Sequence, residues 1–137
     1  MSIHDNTYKL IVAGSRGWTD YDILVHEVRH HLAKFALNRT VQIVSGTAKG
    51  ADKLGEQMAT FYGIPLIQFP AQWNTHGKAA GFIRNTEMAK YANGAIVFWD
   101  EQSRGAHHML NEARKQRINA TCVWSDGQVF NYEPLKV

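Results

Sequence analysis

The feature that most constrains this chain is a repeated succession: a short, almost wholly apolar run, then a segment with helical spacing. Five such runs stand out: "YKLIVAG" at 8–14, "TVQIVSG" at 40–46, "IPLIQFP" at 64–70, "GAIVFWD" at 94–100 and "ATCVWS" at 120–125. A strand with one face in water alternates apolar and polar residues. These runs barely alternate, so both faces of their sheet are expected to be covered. In "DYDILVHEVRHHLAKFAL", 20–37, Leu24, Val25, Val28, Leu32 and Phe35 share one stripe, and Asp20 is placed to cap the first turn. A second helix is expected from Lys49 to Tyr62, burying Leu54, Met58 and Phe61 and ending at Gly63. A third is expected over 80–91, and a fourth over 104–117 with Ala106, Met109, Leu110 and Ala113 inward. "AQWNTHGKA", 71–79, reads as a loop and "GQVFNYEP" as a short edge strand. Such alternation predicts an α/β, doubly wound, mostly parallel five-stranded sheet with helices on both faces.

The length, 137 residues, suits one domain over 1–137. The formal charge is +3, with lysines and arginines scattered rather than blocked. That argues against an extended nucleic-acid face, and nucleic acid is not the expected partner. No apolar run approaches membrane-spanning length, and "MSIHDNTYKL" carries no basic-then-apolar signal, so no membrane association is expected. The lone cysteine, Cys122, cannot form an internal disulfide and is expected to pack in the core, which fits a cytoplasmic setting. Among seven histidines, His26 and His30 lie one helical turn apart but opposite the apolar stripe, which reads as a solvated face. His107 and His108 point to different sides of their helix, and one of them can reach toward the strand-end loops. No Cys/His ligand spacing is present; neither a metal nor a cofactor is expected.

The turns at the strand ends carry the chemistry. The first strand leads into "GSRGWTD", with Gly14, Ser15, Arg16 and Trp18; the second leads into "SGTAKGAD", with Ser45, Gly46, Thr47, Lys49, Gly50 and Asp52. After the third come Trp73 and then "GFIRNTEM", with Arg84 and Asn85; after the fourth "DEQSRGA", with Ser103, Arg104 and Gly105. In a doubly wound sheet ligands bind beyond the carboxyl ends of the strands, where the strand order switches. Glycines allow close backbone approach, helix N-termini favour anions, and arginine forks suit phosphate. These residues are therefore the candidate ligand set, with the serine hydroxyls and loop amides as phosphate donors and Trp18 and Trp73 able to stack on a base or, at least equally well, to cap the core. "SGTAKGAD" is neither a Walker loop nor G-x-G-x-x-G, and taken alone it serves equally well as a tight turn with a cap. Asp52 also reads as an acid in a helix's first turn. Trp99 and Trp124 read as packing residues, and no G-x-S-x-G elbow supports a nucleophilic triad.

Together "VAGSRGWTD", "IVSGTAKGAD", "PAQWNTHGKAAGFIRNTEMAKYA" and "VFWDEQSRGAHHML" resemble the YspA-like branch of the SLOG superfamily, related to the lysine-decarboxylase-like LOG proteins and the core of DprA. The resemblance runs over 8–124. It implies a Rossmann-like fold and a pocket for a nucleotide or nucleotide-derived ligand of the ADP-ribose or cyclic-nucleotide kind. Several relatives sense or process such molecules in bacterial and phage conflict. "SGTAKGAD" looks like the DprA-type "SGxAxGxD" loop, which maps phosphate contacts onto Ser45, Gly46, Thr47, Lys49 and Gly50. The branch usually has glycine where this chain has Thr47. "RNTEM" is similar to the R-x-x-x-M segment of LOG phosphoribohydrolases, which makes Arg84 the candidate for assisting N-glycosidic cleavage. Their catalytic glutamate falls at Met109 here, and Glu87 and Glu112 would be directed elsewhere by their helices. The threonine usual after "SRG" is Ala106. These departures favour binding, for sensing or sequestration, over hydrolysis of a nucleoside monophosphate, which is the alternative. Single-stranded nucleic-acid binding, as in DprA, has the least support. Relatives also imply a homo-oligomer whose contact surface includes the helix over 80–91.

Overall fold

Strand β1 (Thr7–Gly14) has a parallel neighbour on each side, β2 (Thr40–Ser45) and β4 (Gly94–Trp99). The chain first builds outward from β1 through β2 to β3 (Leu66–Gln68). It then crosses back to continue on the opposite side with β4, β5 (Asn119–Trp124) and β6 (Val129–Tyr132). The sheet order is β3-β2-β1-β4-β5-β6, parallel except for β6, which runs antiparallel to β5. Its strands are joined by α1 (Tyr21–Phe35), α2 (Ala51–Tyr62), α3 (Trp73–His76), α4 (Ala80–Tyr91) and α5 (Arg104–Lys115). This computed structural model describes residues 6–132 and 134. Positions 1–5, where a targeting signal would begin, and Glu133 of the tail lie outside the described residues.

Reversal of the winding direction sends helices to opposite faces. Leu10, Val12, Ile43, Ile96 and Phe98 meet Leu24 and Val28 of α1 and Met58 and Ala59 of α2. Their sequence neighbours Ile11, Ala13, Val44, Ala95 and Val97 meet Met88 and Ala89 of α4 and Ala106, Met109, Leu110 and Ala113 of α5. Alternate strand residues point to opposite faces, and here both faces are dry, so the absence of apolar–polar alternation has its physical reason. The second layer is rich in alanine, which lets α4 and α5 lie close to the sheet. Cys122 packs in this layer, and burial pushes its thiol up to about 11, as suits an inert core residue. Among the described residues, no helix is long and apolar enough to cross a membrane.

Several boundaries differ from the sequence expectation. Asp20 does cap α1, its Oδ1 accepting from the Ile23 N–H at 3.0 Å, but the helix stops at Phe35, where Asn38 turns left-handed (φ 63°) and Leu37 is left exposed. Helix α2 begins at Ala51 rather than Lys49, because Gly50 (φ 80°) stands outside helical space. Phe61 is 77% exposed rather than buried. The buried stripe of α2 runs through Ala51, Gly55, Met58 and Ala59, and Phe61 lies beside it, edge-on to Tyr62. The segment read as a loop holds the single turn α3 and a 3-10 turn, Gly77–Ala79. The edge strand at the C-terminal side is present as β6, making six strands among the described residues.

His31, which no sequence motif singles out, lies on the inward face of α1. It is buried between Tyr8 and Thr121, with Tyr8 Oη 2.8 Å from Nε2 and Thr121 Oγ1 2.8 Å from Nδ1. Thr121 gives its own proton to Asn131 Oδ1, so it accepts from Nδ1–H, and Nε2 accepts from Tyr8. A Cβ at Gly94 would overlap the Tyr8 hydroxyl, so glycine there makes room for the chain of contacts. Burial, with the Lys34 charge adding to it, brings His31 down to about 4. A histidine held neutral contributes stability that is present at neutral pH and is lost as pH falls from the unfolded value, about 6.5, toward the folded one. The wild-type stability advantage over His31→Gln is therefore expected to shrink by about 3 kcal/mol between about pH 7 and about pH 4 in denaturant titrations. An advantage that stays constant across this range would refute the neutral, buried assignment.

Candidate functional site

The C-terminal ends of β1 and β4 are stapled by Ser15. Its N–H donates to the Phe98 carbonyl (2.8 Å), and its Oγ accepts from the Asp100 N–H (2.9 Å). Its carbonyl accepts from Trp18 N–H and from Ala51 N–H, the first residue of α2. Ser15 thus ties three strand–helix junctions together with every polar group it has. Gly50 makes the close approach possible, since a Cβ there would overlap the Ser15 and Arg16 carbonyls.

Above this staple lies a cleft of about 210 Å³. Ala13 and Gly14 come from the end of β1 and Arg16 from the turn beyond it, while Ala48 and Asp52 come from the β2–α2 junction. Trp73 of α3 and Lys78 of the 3-10 turn close one side, and Gly81, Phe82, Arg84 and Asn85 arrive from α4. Ser103, Gly105, Ala106 and Met109 come from the start of α5. A second hollow of about 280 Å³ adjoins it, sharing Arg16, Ala48, Trp73 and Arg84 and adding Gly46, Thr47, Pro70 and Ala71.

Arg84 sits at the centre. Nη1 donates to the Gly46 carbonyl and Nε donates to Asn85 Oδ1 (2.9 Å). Burial, with the Arg16 charge adding and the Asp52 charge opposing, lowers its pKa from the ordinary arginine value. Asp52 is 4% exposed, and burial raises its carboxyl to about 6; the Ala48 N–H, the Arg84 charge and the Gly14 N–H work against the shift. Asp52 Oδ2 accepts from Ala48 N–H at 3.1 Å. The cleft therefore joins three cations, Arg16, Lys78 and Arg84, to one buried carboxyl group that titrates far above its usual range. Trp73, 52% exposed, and Phe82, 47% exposed, supply aromatic surface at the rim.

The structure gathers Gly14, Arg16, Asp52, Trp73, Arg84, Asn85, Ser103 and Gly105 from the sequence's candidate set around the cleft, and Gly46 and Thr47 around its annex. It places the others elsewhere. Trp18 turns into the core against Phe98, with its indole N–H on the Asp20 carbonyl. Lys49 and Arg104 are exposed and line neither hollow. Ser45 Oγ donates to Glu56 Oε2 (2.7 Å) and accepts from Thr47 N–H (3.0 Å), and Ala51 N–H is taken by Ser15. The amides of Thr47, Ala48 and Ala51 are thus taken by the protein, while those of Lys49 and Gly50 find no acceptor among the described residues and line neither hollow. Helix α5 presents its free amides beside the cleft. Ser103 caps it through Ala106 N–H, and the N–H groups of Arg104 and Gly105 find no acceptor among the described residues. The positive end of α5 opens on the cleft, where negative charge is favoured.

Lys78, Phe82 and Met109 are absent from the ligand set that the sequence suggests. Lys78 falls in the segment read as loop, where no spacing rule fixes orientation, and Phe82 in the first turn of the helix expected over 80–91, on a face the sequence does not tie to the strand ends. Met109, read in the sequence as an inward residue of its helix and as the position of an absent glutamate, lines the cleft as apolar surface. A larger open groove of about 720 Å³ lies between α1 and α2, lined by residues including Tyr21, His26, His30, Phe61 and Tyr62. On its rim the ligand atoms of His26, Glu27 and His30 lie within 4.8 Å of one another. Both histidines are exposed, and the groove brings together no set of cations around a buried acid, so the smaller cleft is the better candidate for anion chemistry.

The family model described as the YspA, cpYpsA-related SLOG family matches residues 8–76. The chain is also 31% identical over 120 residues to the gene 61 protein of Mycobacterium phage D29, an overlap covering 80% of this chain and 91% of that protein. Thr47, where the sequence pattern resembles one that usually carries glycine, adopts φ 66°. A β-branched residue in the left-handed region is strained by roughly 1–2 kcal/mol. Thr47→Gly is therefore expected to raise the unfolding free energy by up to about 1 kcal/mol, after glycine's entropy is offset, in chemical denaturation. A destabilised variant would mean that the Thr47 side chain supplies a compensating contact.

Proposed function

Because this chain belongs to the YspA, cpYpsA-related SLOG family, we propose that it binds a nucleotide-derived phosphorylated small molecule in the cleft at the C-terminal edge of the sheet, for sensing or sequestration. Membership itself points to nucleotide-related binding or processing; the ADP-ribose or cyclic-nucleotide class is the finer part of the proposal. The observation that carries it is the convergence of Arg16, Lys78 and Arg84 with the open N-terminus of α5 at a cleft rimmed by Trp73 and Phe82. Cations and helix amides suit phosphate, the aromatic faces suit a base, and the annex extends a cleft that alone is smaller than the roughly 300–1,000 Å³ of small-molecule sites. The phosphate grip in this reading lies with the arginines and the start of α5, which line the cleft itself. A relative encoded by a phage fits a role in phage–bacterial conflict. Phe82 and Ile83, exposed on α4 beside the cleft, are the surface on which a second copy would pack.

One observation favours hydrolysis as a second reading. Asp52 stands in the same cleft as Arg84 with a carboxyl near 6, although the position matched to the usual glutamate is Met109. Asp52 would take a proton from water as the water oxygen bonds to C1′ and the base departs with the C1′–N electron pair. Incubation with purine monophosphates and chromatography of the products separates the readings: under the binding proposal no free base appears.

Calorimetry against ADP-ribose, cyclic nucleotides and AMP should give saturable binding to at least one of them. Arg84→Ala should weaken it about ten- to a hundredfold, as expected for losing a charge-assisted contact, while Lys49→Ala and Arg104→Ala stay within about twofold. A flat response to the whole panel, or equal losses in all three variants, would reject this site.

A further inference from the structure

The hydrogen bonds behind Arg84 run in directions that leave no freedom. Its Nε–H can only donate, so the Asn85 atom 2.9 Å away is Oδ1. Asn85 Nδ2 consequently faces the other way. There it donates to the Gly105 carbonyl (3.2 Å) and meets His108 Nδ1 (3.2 Å). A carbonyl only accepts, so Gly105 fixes the same amide orientation independently. An amide nitrogen does not accept, so His108 Nδ1 must carry no proton. His108 is thereby neutral, with its proton on Nε2, and it is half-buried with Phe82 stacked on it at 4.2 Å and 17°.

A second proton on this ring would set Nδ1–H against the Asn85 NH₂. The conflict is relieved if the Asn85 amide turns over and offers Oδ1 to His108. Nδ2 then faces Arg84 Nε, donor against donor, and the contacts to Arg84 and Gly105 are both lost. We propose that His108 and Asn85 are positioning residues for Arg84: the guanidinium has both of its anchors, Gly46 and Asn85, while His108 is neutral, and keeps only Gly46 when His108 is protonated. The inference rests on the binding reading in one respect, that Arg84 contacts the ligand; the relay itself belongs to the free protein.

The charges around His108 set where this happens. On α5, Glu112 Oε2 lies 3.8 Å from Nε2, Lys115 pairs with the same carboxylate (3.1 Å), and His107 adjoins in sequence. From α4 come the Asn85 amide with Arg84 beyond it, and Thr86, whose hydroxyl donates to Glu112 Oε1 (2.8 Å). Arg114 and Tyr132 line the hollow beside the ring. Burial lowers the His108 pKa; Glu112 opposes this, and Lys115 and His107 add to it. Burial works to raise Glu112, but the Thr86 hydroxyl, Lys115 and His108 together hold it below the ordinary glutamate value, so it stays charged while His108 titrates. The transition falls on the acid side of the ordinary histidine value, about 6.5.

The side-chain ¹H–¹⁵N signals of Arg84 Nε–H and Asn85 Nδ2 test the relay in the free protein, followed from about pH 8 to about pH 5 beside the His108 ring signal. His108 and Asn85 are expected to share one midpoint in the wild type and in His107→Gln, with Arg84 moving at that midpoint in addition to its response to Asp52, whose carboxyl lies near 6. In His108→Gln, whose side-chain oxygen accepts from Asn85 at every pH, the Asn85 signal should stay fixed and the Arg84 signal should follow Asp52 alone. An Asn85 signal that holds still while His108 titrates overturns the proposal from the wild type alone, whether or not the variant folds. ADP-ribose, whose charge is constant over this range, supplies the second readout: because the Asp52 charge varies alike in both proteins, wild-type affinity divided by His108→Gln affinity should fall about tenfold through the midpoint. A constant ratio with the shared midpoints intact overturns the regulatory claim. No ADP-ribose binding at any pH, with the midpoints intact, counts against the ligand reading and leaves the relay standing.

Discussion

Everything at the C-terminal edge of this sheet hangs on Ser15. Where the winding reverses between β1 and β4, consecutive helices leave toward opposite faces, and the strand ends would otherwise be free to splay. Ser15 prevents that with its amide on Phe98, its hydroxyl under Asp100 and its carbonyl shared by Trp18 and Ala51. Asp100 continues the tie, its carboxylate accepting from Gln102 and Ser103 N–H, and these bonds hold its pKa below the ordinary value. The consequence is a fixed distance between the start of α2 and the start of α5. A crevice at the switch point of a doubly wound sheet is a general consequence of topology; a crevice of constant width needs a staple, and a buried serine is small enough to sit beneath it.

The second organising interaction is electrostatic. Asp52 and Arg84 are both drawn out of water, and burial shifts each toward its neutral form while each other's charge resists the shift. Isolated, either would be strongly unfavourable. Satisfying Asp52 with Ala48 N–H and Arg84 with the Gly46 carbonyl and Asn85 keeps both groups available at the cleft. The loop that looks from its glycines like a phosphate cradle thus commits its Ala48 amide and its Gly46 carbonyl to holding the Asp52–Arg84 neighbourhood in place. The Gly105 amide at the start of α5 lines the cleft and has no acceptor among the described residues, so a ligand's anionic groups in the cleft are drawn toward the arginines and the "SRG" turn.

Much of the fold was legible because its signals are local. Apolar runs without alternation, the Asp20 cap, the Gly63 stop and the inward stripe Ala106–Met109–Leu110–Ala113 each arise from rules acting within a few residues, and the structure shows them. The differences fall where tertiary context decides. Phe61 has helical spacing yet lies beside the stripe; His31 shares a helix with the exposed His26 and His30 yet finds Tyr8 and Thr121. Trp18 and Trp73 both occupy strand-end turns, but Phe98 lies under one and the open cleft beside the other. A loop residue's rotation toward core or solvent has no period from which to read it.

The sequence by itself determined the alternation of strands and helices, the dryness of both sheet faces and the small-polar composition of the turns, because each is encoded by neighbours along the chain. Only the tertiary structure decided which turn amides remain unpaired, that Lys78, Phe82 and Met109 share a wall with Arg16, and that Asn85 and His108 stand behind Arg84. Hydrogen-bond partnership and burial depend on what lies across space. Thirty-eight positions separate Gly46 from Arg84 and eighty-five separate Ser15 from Asp100, and no periodicity along the chain spans those distances.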